Sequence, residues 1–119
     1  MTKQQFQTTL EVRFFRTACG NEPVRAWLKG LGQADRKAVG EEIKTVQIGW
    51  PLGMPLVRKM ARDVWEIRIT RPTRCMRILF TVAGDTMVLL HGFVKQSAAT
   101  PRSDLDAATS RLKALRNGI

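Results

Sequence analysis

The residues best suited to chemistry in this sequence form a run of positive charge between Arg58 and Arg77. Seven basic residues in this stretch face only two carboxylates, Asp63 and Glu66, and six of the seven are arginines. Arginine carries a planar guanidinium that pairs with two phosphate oxygens at once and also stacks on nucleobases. The run therefore predicts a phosphate-rich partner, and its members are Arg58, Lys59, Arg62, Arg68, Arg71, Arg74 and Arg77.

Two of these arginines, Arg68 and Arg77, lie within segments of alternating polar and apolar residues, the pattern of half-buried strands. We expect neighbouring strands joined by a hairpin, with helices packed on the face that carries Trp65. The opposite face would stay uncovered and present Arg68, Arg77 and Lys59 together as a concave basic surface. Three further arginines fall in predicted turns, where they are either solvated or contact nucleic acid: Arg62, Arg71 and Arg74.

His91 is the single histidine, and histidine is the residue type that most readily exchanges protons near neutral pH. It can act as a general acid or base, or as a structural hydrogen-bonding residue at the end of an apolar strand. Strict alternation places it on the same face as Leu89 and Phe93. Glu66 is either a base or an ion-pair partner of a neighbouring arginine. Trp50, in a loop rich in proline and glycine, either stacks on a base or packs against the sheet edge.

Periodicity along the chain predicts an α+β fold in the order β-α-α-β-β-β-α. An antiparallel sheet would carry a helical hairpin on one face, followed by a C-terminal helix. Apolar residues three and four apart mark the helices, and alternation marks the strands. The predicted elements are a strand at Leu10–Phe15, a helix from Glu22 to Gly30, a helix at Gln33–Ile48, a less regular strand at Leu56–Met60, strands at Val64–Thr70, Met76–Val82 and Thr86–Val94, and a helix after Thr100-Pro101.

The chain has 119 residues, which predicts one domain over residues 1–119, and its formal net charge is +10. A domain this basic attracts polyanions. No apolar run reaches the roughly 18 residues of a membrane span, and the N-terminus lacks the apolar core of a signal peptide. We therefore expect a cytoplasmic protein with no membrane partner. Cys19 and Cys75 have no metal-ligand spacing, so we expect two free thiols, no metal and no cofactor.

Three motifs in the second half of the chain resemble the phage-derived, HigB-like branch of the RelE/ParE toxin superfamily. They are KMARDVWEIRI at 59–69, MRILF at 76–80 followed by a Gly-Asp turn, and LLHGFVKQSAATP at 89–101 followed by a helix with acidic, alanine and arginine positions. The resemblance extends roughly from Phe14 to Leu115. It implies a RelE-like fold and the toxin of a type II toxin–antitoxin system.

Members of this superfamily commonly act as ribosome-dependent mRNA endonucleases that inhibit translation and arrest growth, and a helix-turn-helix antitoxin neutralises them in a hetero-oligomer. The resemblance implies metal-independent cleavage, in which the 2′-hydroxyl attacks the neighbouring phosphate. Some members use a tyrosine in the site, but this sequence contains none, so the proton-transfer residue is left open. Lys95 lies in the loop that members place beside the scissile phosphate. The expected catalytic residues are Arg68, Arg77, His91 and Lys95, and the expected RNA-binding residues are Arg58, Lys59, Arg62, Arg71, Arg74 and Trp50.

Two other functions are compatible with the sequence. A ParE-like toxin would share the fold and poison DNA gyrase without nuclease chemistry, and a non-catalytic basic module would only bind RNA. Basic residues on adjacent strands, with His91 and Lys95 nearby, favour the endonuclease over the gyrase poison. A neighbouring reading frame for a helix-turn-helix protein would favour either toxin over the RNA-binding module.

Overall fold

The computed structural model describes residues 9–96 and 98–118. These residues form strands β1 (Glu11–Phe14), β2 (Val57–Ala61), β3 (Val64–Thr70), β4 (Cys75–Ala83) and β5 (Thr86–Lys95), and helices α1 (Pro23–Lys29), α2 (Gln33–Gly49) and α3 (Arg102–Arg116). The α+β class is confirmed. The order contains one strand more than the predicted β-α-α-β-β-β-α, because the less regular strand expected at Leu56–Met60, which that order leaves out, does form as β2. Within the described residues, no helix is long and apolar enough to cross a membrane.

The strands form one mixed sheet in the order β1-β5-β4-β3-β2. Strands β2 to β5 are antiparallel neighbours, whereas β1 runs parallel to β5. The expectation of a wholly antiparallel sheet is therefore wrong for this pair. The register places Val12 beside Met87 and Phe14 beside Leu89, so β1 adds its apolar side chains to the same core. The parallel pairing of β1 with β5 depends on which apolar side chains are buried in this core, and the alternation within a single strand does not predict it.

The helical hairpin of α1 and α2 packs on one face of the sheet, as predicted. Val39 and Val46 of α2 are wholly buried there, in the same core as Ile78 of β4. Helix α1 approaches β5 so closely that a Cβ atom at Gly92 would lie 2.4 Å from the ring of Trp27. Only glycine leaves room for this contact. We call this side of the sheet, with Ile78, the hairpin face.

Helix α3 packs on the opposite side, where Ala108 and Leu112 are buried in one core with Leu79 and Leu90. We call this side, with Leu79 and Leu90, the α3 face. The expectation that it stays uncovered is wrong, because the apolar stripe of α3 requires a partner surface and this face of the sheet supplies it.

A β-bulge at Leu90 changes which side chains of β5 reach the α3 face. Strand β4 pairs Phe80 with Leu89 but Leu79 with His91, so Leu90 is the extra residue. Leu89 belongs to the core under the hairpin face, while His91 lies on the α3 face beside Leu79. The prediction that His91 and Leu89 share a face is wrong, because one inserted residue reverses the alternation beyond it.

Candidate functional site

Strand register brings the four predicted catalytic residues to the α3 face. Arg68 pairs directly with Arg77 across β3 and β4, and His91 and Lys95 point to the same side from β5. Arg58, one of the predicted RNA-binding residues, lies on this face in β2. We call these five residues the basic cluster. Its members come from four adjacent strands, so the sheet fixes their relative positions.

Arg77 lies beneath the surface of the basic cluster. Its Nε atom is 3.6 Å from Glu66 Oε1, and the two side chains are 4% and 3% exposed. Its Nη1 donates to the backbone oxygen of Met76, whereas its Nε has no hydrogen-bond partner among the described residues. Thr100 Oγ1 donates to the other Glu66 oxygen at 2.5 Å. The expectation of an exposed Arg77 is therefore wrong, because it pairs with Glu66 under the segment that precedes α3.

Of the arginines and the lysine in the basic cluster, all except Arg77 are accessible to a ligand. Arg58 is exposed, and Arg68 and Lys95 are half-buried. Lys95 Nζ donates to the backbone oxygen of Ala98 at 2.9 Å, which occupies one of the three donors of its ammonium group. Arg68 Nη1 makes a weak contact with Met54 Sδ at 3.8 Å. These three cations can contact phosphate oxygens directly.

His91 is held by charged groups on both of its ring nitrogens. Its Nε2 is 2.6 Å from Asp104 Oδ1, and its Nδ1 is 3.1 Å from Arg111 Nη1. A guanidinium is a donor only, so Nδ1 must accept and Nε2 must carry the proton that is donated to Asp104. The imidazole is 20% exposed and stacks on Phe93, with ring centroids 5.8 Å apart.

The β-bulge explains why Arg111 lies beside His91. Arg111 Nη1 also donates to the backbone oxygen of Leu90, the bulged residue, at 2.8 Å. A bulge interrupts the ladder of backbone hydrogen bonds, and here a side chain of α3 satisfies the carbonyl. Desolvation by burial lowers the pKa of Arg111, although a guanidinium stays charged at neutral pH. The same contact fixes α3 on the sheet and sets the orientation of His91.

Two predicted RNA-binding residues, Lys59 and Trp50, lie on the hairpin face instead. Lys59 pairs with Trp65 across β2 and β3, and its Nζ is 5.9 Å from the centroid of that ring. Trp50 packs edge-on against Trp65 and Phe80, at 5.0 and 5.6 Å between centroids. The expectation that Lys59 joins the arginines of β3 and β4 is wrong, since its register puts it on the other side of the sheet. Trp50 therefore packs on the sheet, but against the inner strands β3 and β4 and not at the sheet edge as expected.

Arg71 and Arg74 fasten the β3–β4 hairpin to the start of α2. Both donate to the carboxylate of Asp35, Arg71 Nε at 3.2 Å and Arg74 Nε at 2.9 Å. Hydrogen bonds and charge from Arg74 and Arg71 lower the pKa of Asp35, although burial opposes the shift. These arginines therefore have a structural role that the sequence did not predict.

The remaining predicted RNA-binding residue, Arg62, is exposed in the tight turn between β2 and β3. Asp63, next to it, has a positive φ of 60°. Arg116, near the end of α3, donates to Asp63 at 2.6 Å and lowers the pKa of that carboxyl. Arg62 therefore lies where α3 meets the β2–β3 turn, outside the basic cluster.

A family model covers most of this architecture. The family described as Phage derived protein Gp49-like (DUF891) matches residues 26–113, which is about three quarters of the chain and contains the whole basic cluster. The chain belongs to this Gp49-like family. The family is RelE-like and toxin-like, and it is often associated with the toxins of toxin–antitoxin systems, which have an antitoxin partner. No curated protein matches the chain.

Two residues of the candidate site in this Gp49-like protein were not predicted from the sequence, namely Asp104 and Arg111. Both lie on the buried stripe of α3, since Asp104, Ala108, Arg111 and Leu112 follow one another at helical spacing. Charged residues on the buried side of an amphipathic helix require partners, and these two find theirs on His91. That position on the helix was the signal available in the sequence.

Proposed function

We propose that this Gp49-like protein is the toxin of a type II toxin–antitoxin system and that it cuts mRNA on the ribosome. The observation that carries the proposal is the basic cluster, in which arginines and a lysine share one face of the sheet with His91 and its partner Asp104. The formal net charge of +10 supports an RNA substrate, because such a field attracts polyanions over long range. Cleavage of mRNA would stop translation and arrest growth.

Arg68, Lys95 and Arg58 are the proposed phosphate contacts. Cleavage by an attacking 2′-hydroxyl places extra negative charge on the phosphate in the transition state, and fixed cations lower the energy of that state. Arg68 and Lys95 are half-buried, where water screens their charge less than at an open surface.

Arg77 has a different proposed role, because it lies below the surface that RNA can reach. It neutralises the buried Glu66 and holds the strand next to Arg68 in place. We therefore infer that Arg77 acts as a positioning residue. Replacing it should alter cleavage through the conformation of the site.

The chain's own side chains supply the charge stabilisation and the proton transfer in this proposal. The products are a 2′,3′-cyclic phosphate and a 5′-hydroxyl, and no transition metal takes part. A chelator selective for transition metals should leave the cleavage rate unchanged at constant magnesium, which the ribosome needs. A large loss of rate would overturn this part of the mechanism.

The proposal is tested in cells by induced expression of the wild type and of Arg68→Ala, followed by mapping of mRNA 5′ ends. We expect growth arrest and new 5′ ends within coding regions for the wild type, and a reduction of both for the variant. Arg13→Ala is the matched control, because Arg13 is an exposed arginine on β1, outside the basic cluster. Growth arrest without new mRNA ends would overturn the nuclease and favour a ParE-like target.

We further propose that the partner is a helix-turn-helix antitoxin with an acidic or amphipathic segment. Such a segment would cover the basic cluster, since complementary charge speeds association and fixes the orientation of the two proteins. RNA and antitoxin would then compete for the basic cluster. Titration of antitoxin into a toxin–ribosome complex should release the toxin. A ternary complex with full cleavage activity would show that the antitoxin does not cover the basic cluster.

A further inference from the structure

We propose that Asp104 is the general base that takes the proton from the attacking 2′-hydroxyl, and that His91 and Arg111 are positioning residues that hold its carboxylate. This inference rests on the proposed endonuclease function. It assigns a catalytic role to a residue of α3 that stands outside the basic cluster.

The hydrogen bonds of His91 leave it no nitrogen with which to accept a proton. Nδ1 already accepts from Arg111, and Nε2 carries the hydrogen that is donated to Asp104. Arg111 cannot move away freely, because the same Nη1 also donates to the bulged carbonyl of Leu90. As arranged, the imidazole is a donor towards Asp104, which suits a residue that orients a carboxylate.

Asp104 has the free acceptor that His91 lacks. Oδ1 accepts the hydrogen bond from His91 at 2.6 Å, whereas Oδ2 has no hydrogen bond to any residue in the described ranges 9–96 and 98–118. The side chain is 21% exposed, so a substrate hydroxyl can reach it. Asp104 also lies in the first turn of α3, where the backbone N–H groups favour a charged carboxylate.

Glu66 of β3 is a second carboxylate on this face, and its surroundings exclude it as the base. Its side chain is 3% exposed, one oxygen lies against Arg77, and the other accepts from Thr100. A substrate hydroxyl would have to displace one of these partners. Of these two carboxylates, Asp104 is therefore the one that combines a free oxygen with access to solvent.

Proton transfer, formation of the new phosphorus–oxygen bond and cleavage of the old one take place in a single step. The proton of the 2′-hydroxyl moves to Asp104 Oδ2 as the bond between the 2′-oxygen and phosphorus forms. The bond between phosphorus and the 5′-oxygen breaks, and Lys95 Nζ gives a proton to the leaving oxygen. Asp104 and Lys95 then return to their charged forms by exchange with water. The products are a 2′,3′-cyclic phosphate and a 5′-hydroxyl.

The test compares single-turnover cleavage of mRNA on ribosomes by the wild type, Asp104→Asn and His91→Gln. Asparagine keeps the size of the side chain but is not a base, so we expect the rate to fall by about 100-fold or more. Glutamine can still donate an N–H to Asp104, so the cleavage rate of His91→Gln should stay within about tenfold of the wild-type rate. If His91 were itself the general base, the rate of this variant should fall by at least about 100-fold. Asp106→Asn is the matched control, since Asp106 is an exposed aspartate on the same helix.

The pH profile of the wild type tests the inference without any substitution. A free carboxylic acid ionises at about pH 4 and a free imidazole at about pH 6.5. A carboxylate base therefore predicts a rate that is nearly constant between about pH 6 and pH 8, whereas a rate that falls towards pH 6 indicates an imidazole base. If the wild type cleaves but Asp104→Asn cleaves equally well, or the rate follows imidazole titration, Asp104 is not the base. If the wild type makes no cyclic phosphate on ribosomes, the endonuclease proposal itself fails.

Discussion

Arg77 and Glu66 form an ion pair across β3 and β4 in which both side chains are almost wholly buried, with Nε and Oε1 3.6 Å apart. Removal of the arginine would leave a buried carboxylate whose remaining partner is Thr100. An uncompensated buried charge destabilises a protein by about 3–5 kcal/mol. We therefore predict that Arg77→Ala lowers the free energy of unfolding by about that amount, as measured by urea denaturation.

The matched control for this prediction is Arg68→Ala, on the neighbouring strand. Arg68 is half-buried, and the side-chain hydrogen bond that it makes within the described residues is weak, so its loss should cost at most about 1 kcal/mol. A double variant, Arg77→Met with Glu66→Leu, should recover most of the stability, because it leaves no buried charge. Equal stability of Arg77→Ala and the wild type would contradict the burial of this pair.

The contact between Gly92 and Trp27 gives a second prediction about stability. Gly92→Ala places a Cβ atom 2.4 Å from the indole ring, so α1 or the ring must move. Overpacking of this kind costs about 1–3 kcal/mol. Gly40→Ala is the control, because Gly40 lies within α2 and a Cβ there meets no described atom within 4 Å beyond its neighbours and the adjacent backbone of its own helix. It should stabilise the protein by about 0.5–1 kcal/mol, so thermal unfolding should move in opposite directions for the two variants.

Asp35 gives a prediction about pH. Arg74 and Arg71 lower its pKa, so the folded state gains stability from the ionised carboxylate above the ordinary pKa of aspartate, about 3.9. That contribution is lost as the pH falls through the lowered pKa of the folded state. Asp35→Asn should therefore be less stable than the wild type at neutral pH, and the difference should vanish in acid.

The test for Asp35 is thermal unfolding of both proteins over a range of pH, together with an NMR titration of the Asp35 carboxyl group. Arg74→Ala should raise the pKa of Asp35 towards its ordinary value. A stability difference that persisted unchanged at about pH 2 would show that the carboxylate charge is not responsible.

RNA binding should depend on salt with a slope set by the accessible cations. Three phosphate contacts, from Arg58, Arg68 and Lys95, predict a log–log slope of about −2 for single-stranded RNA. Lys95→Ala should reduce the magnitude of the slope by about 0.7, while Lys113→Ala, on the exposed side of α3, should leave it unchanged. Fluorescence anisotropy at several salt concentrations measures the slope for the wild type and for each variant. A wild-type slope near zero would contradict RNA binding through phosphate contacts.

The regular elements could be predicted from sequence because their causes are local. The apolar stripe of α2 and the alternation around Ile67 and Ile69 are both visible in the chain, and both elements lie where they were expected. The parallel pairing of β1 with β5 has no such local cause, since it depends on which apolar side chains meet in the core.

The candidate site was less predictable, because it depends on one inserted residue and on a helix distant in sequence. The bulge at Leu90 turns His91 towards α3, and nothing in the alternation of β5 marks the insertion. The burial of Arg77 follows from its pairing with Glu66, and the sequence allows this ion pair as one of two roles for Glu66. The contacts of Asp104 and Arg111 with His91 join segments 13 and 20 residues apart, beyond the reach of local patterns.

The proposed reaction requires the 2′-hydroxyl at the cleavage site, so removal of that hydroxyl from the substrate tests the proposal. Purified protein is added to ribosomes programmed with an mRNA whose cleavage site has been mapped, and to the same mRNA with a single 2′-deoxy substitution at that site. We predict cleavage of the first with a 2′,3′-cyclic phosphate end, and no cleavage of the second at that position. Absence of cleavage in the first mRNA, or equal cleavage of both, would show that the protein does not cut RNA by attack of the 2′-hydroxyl.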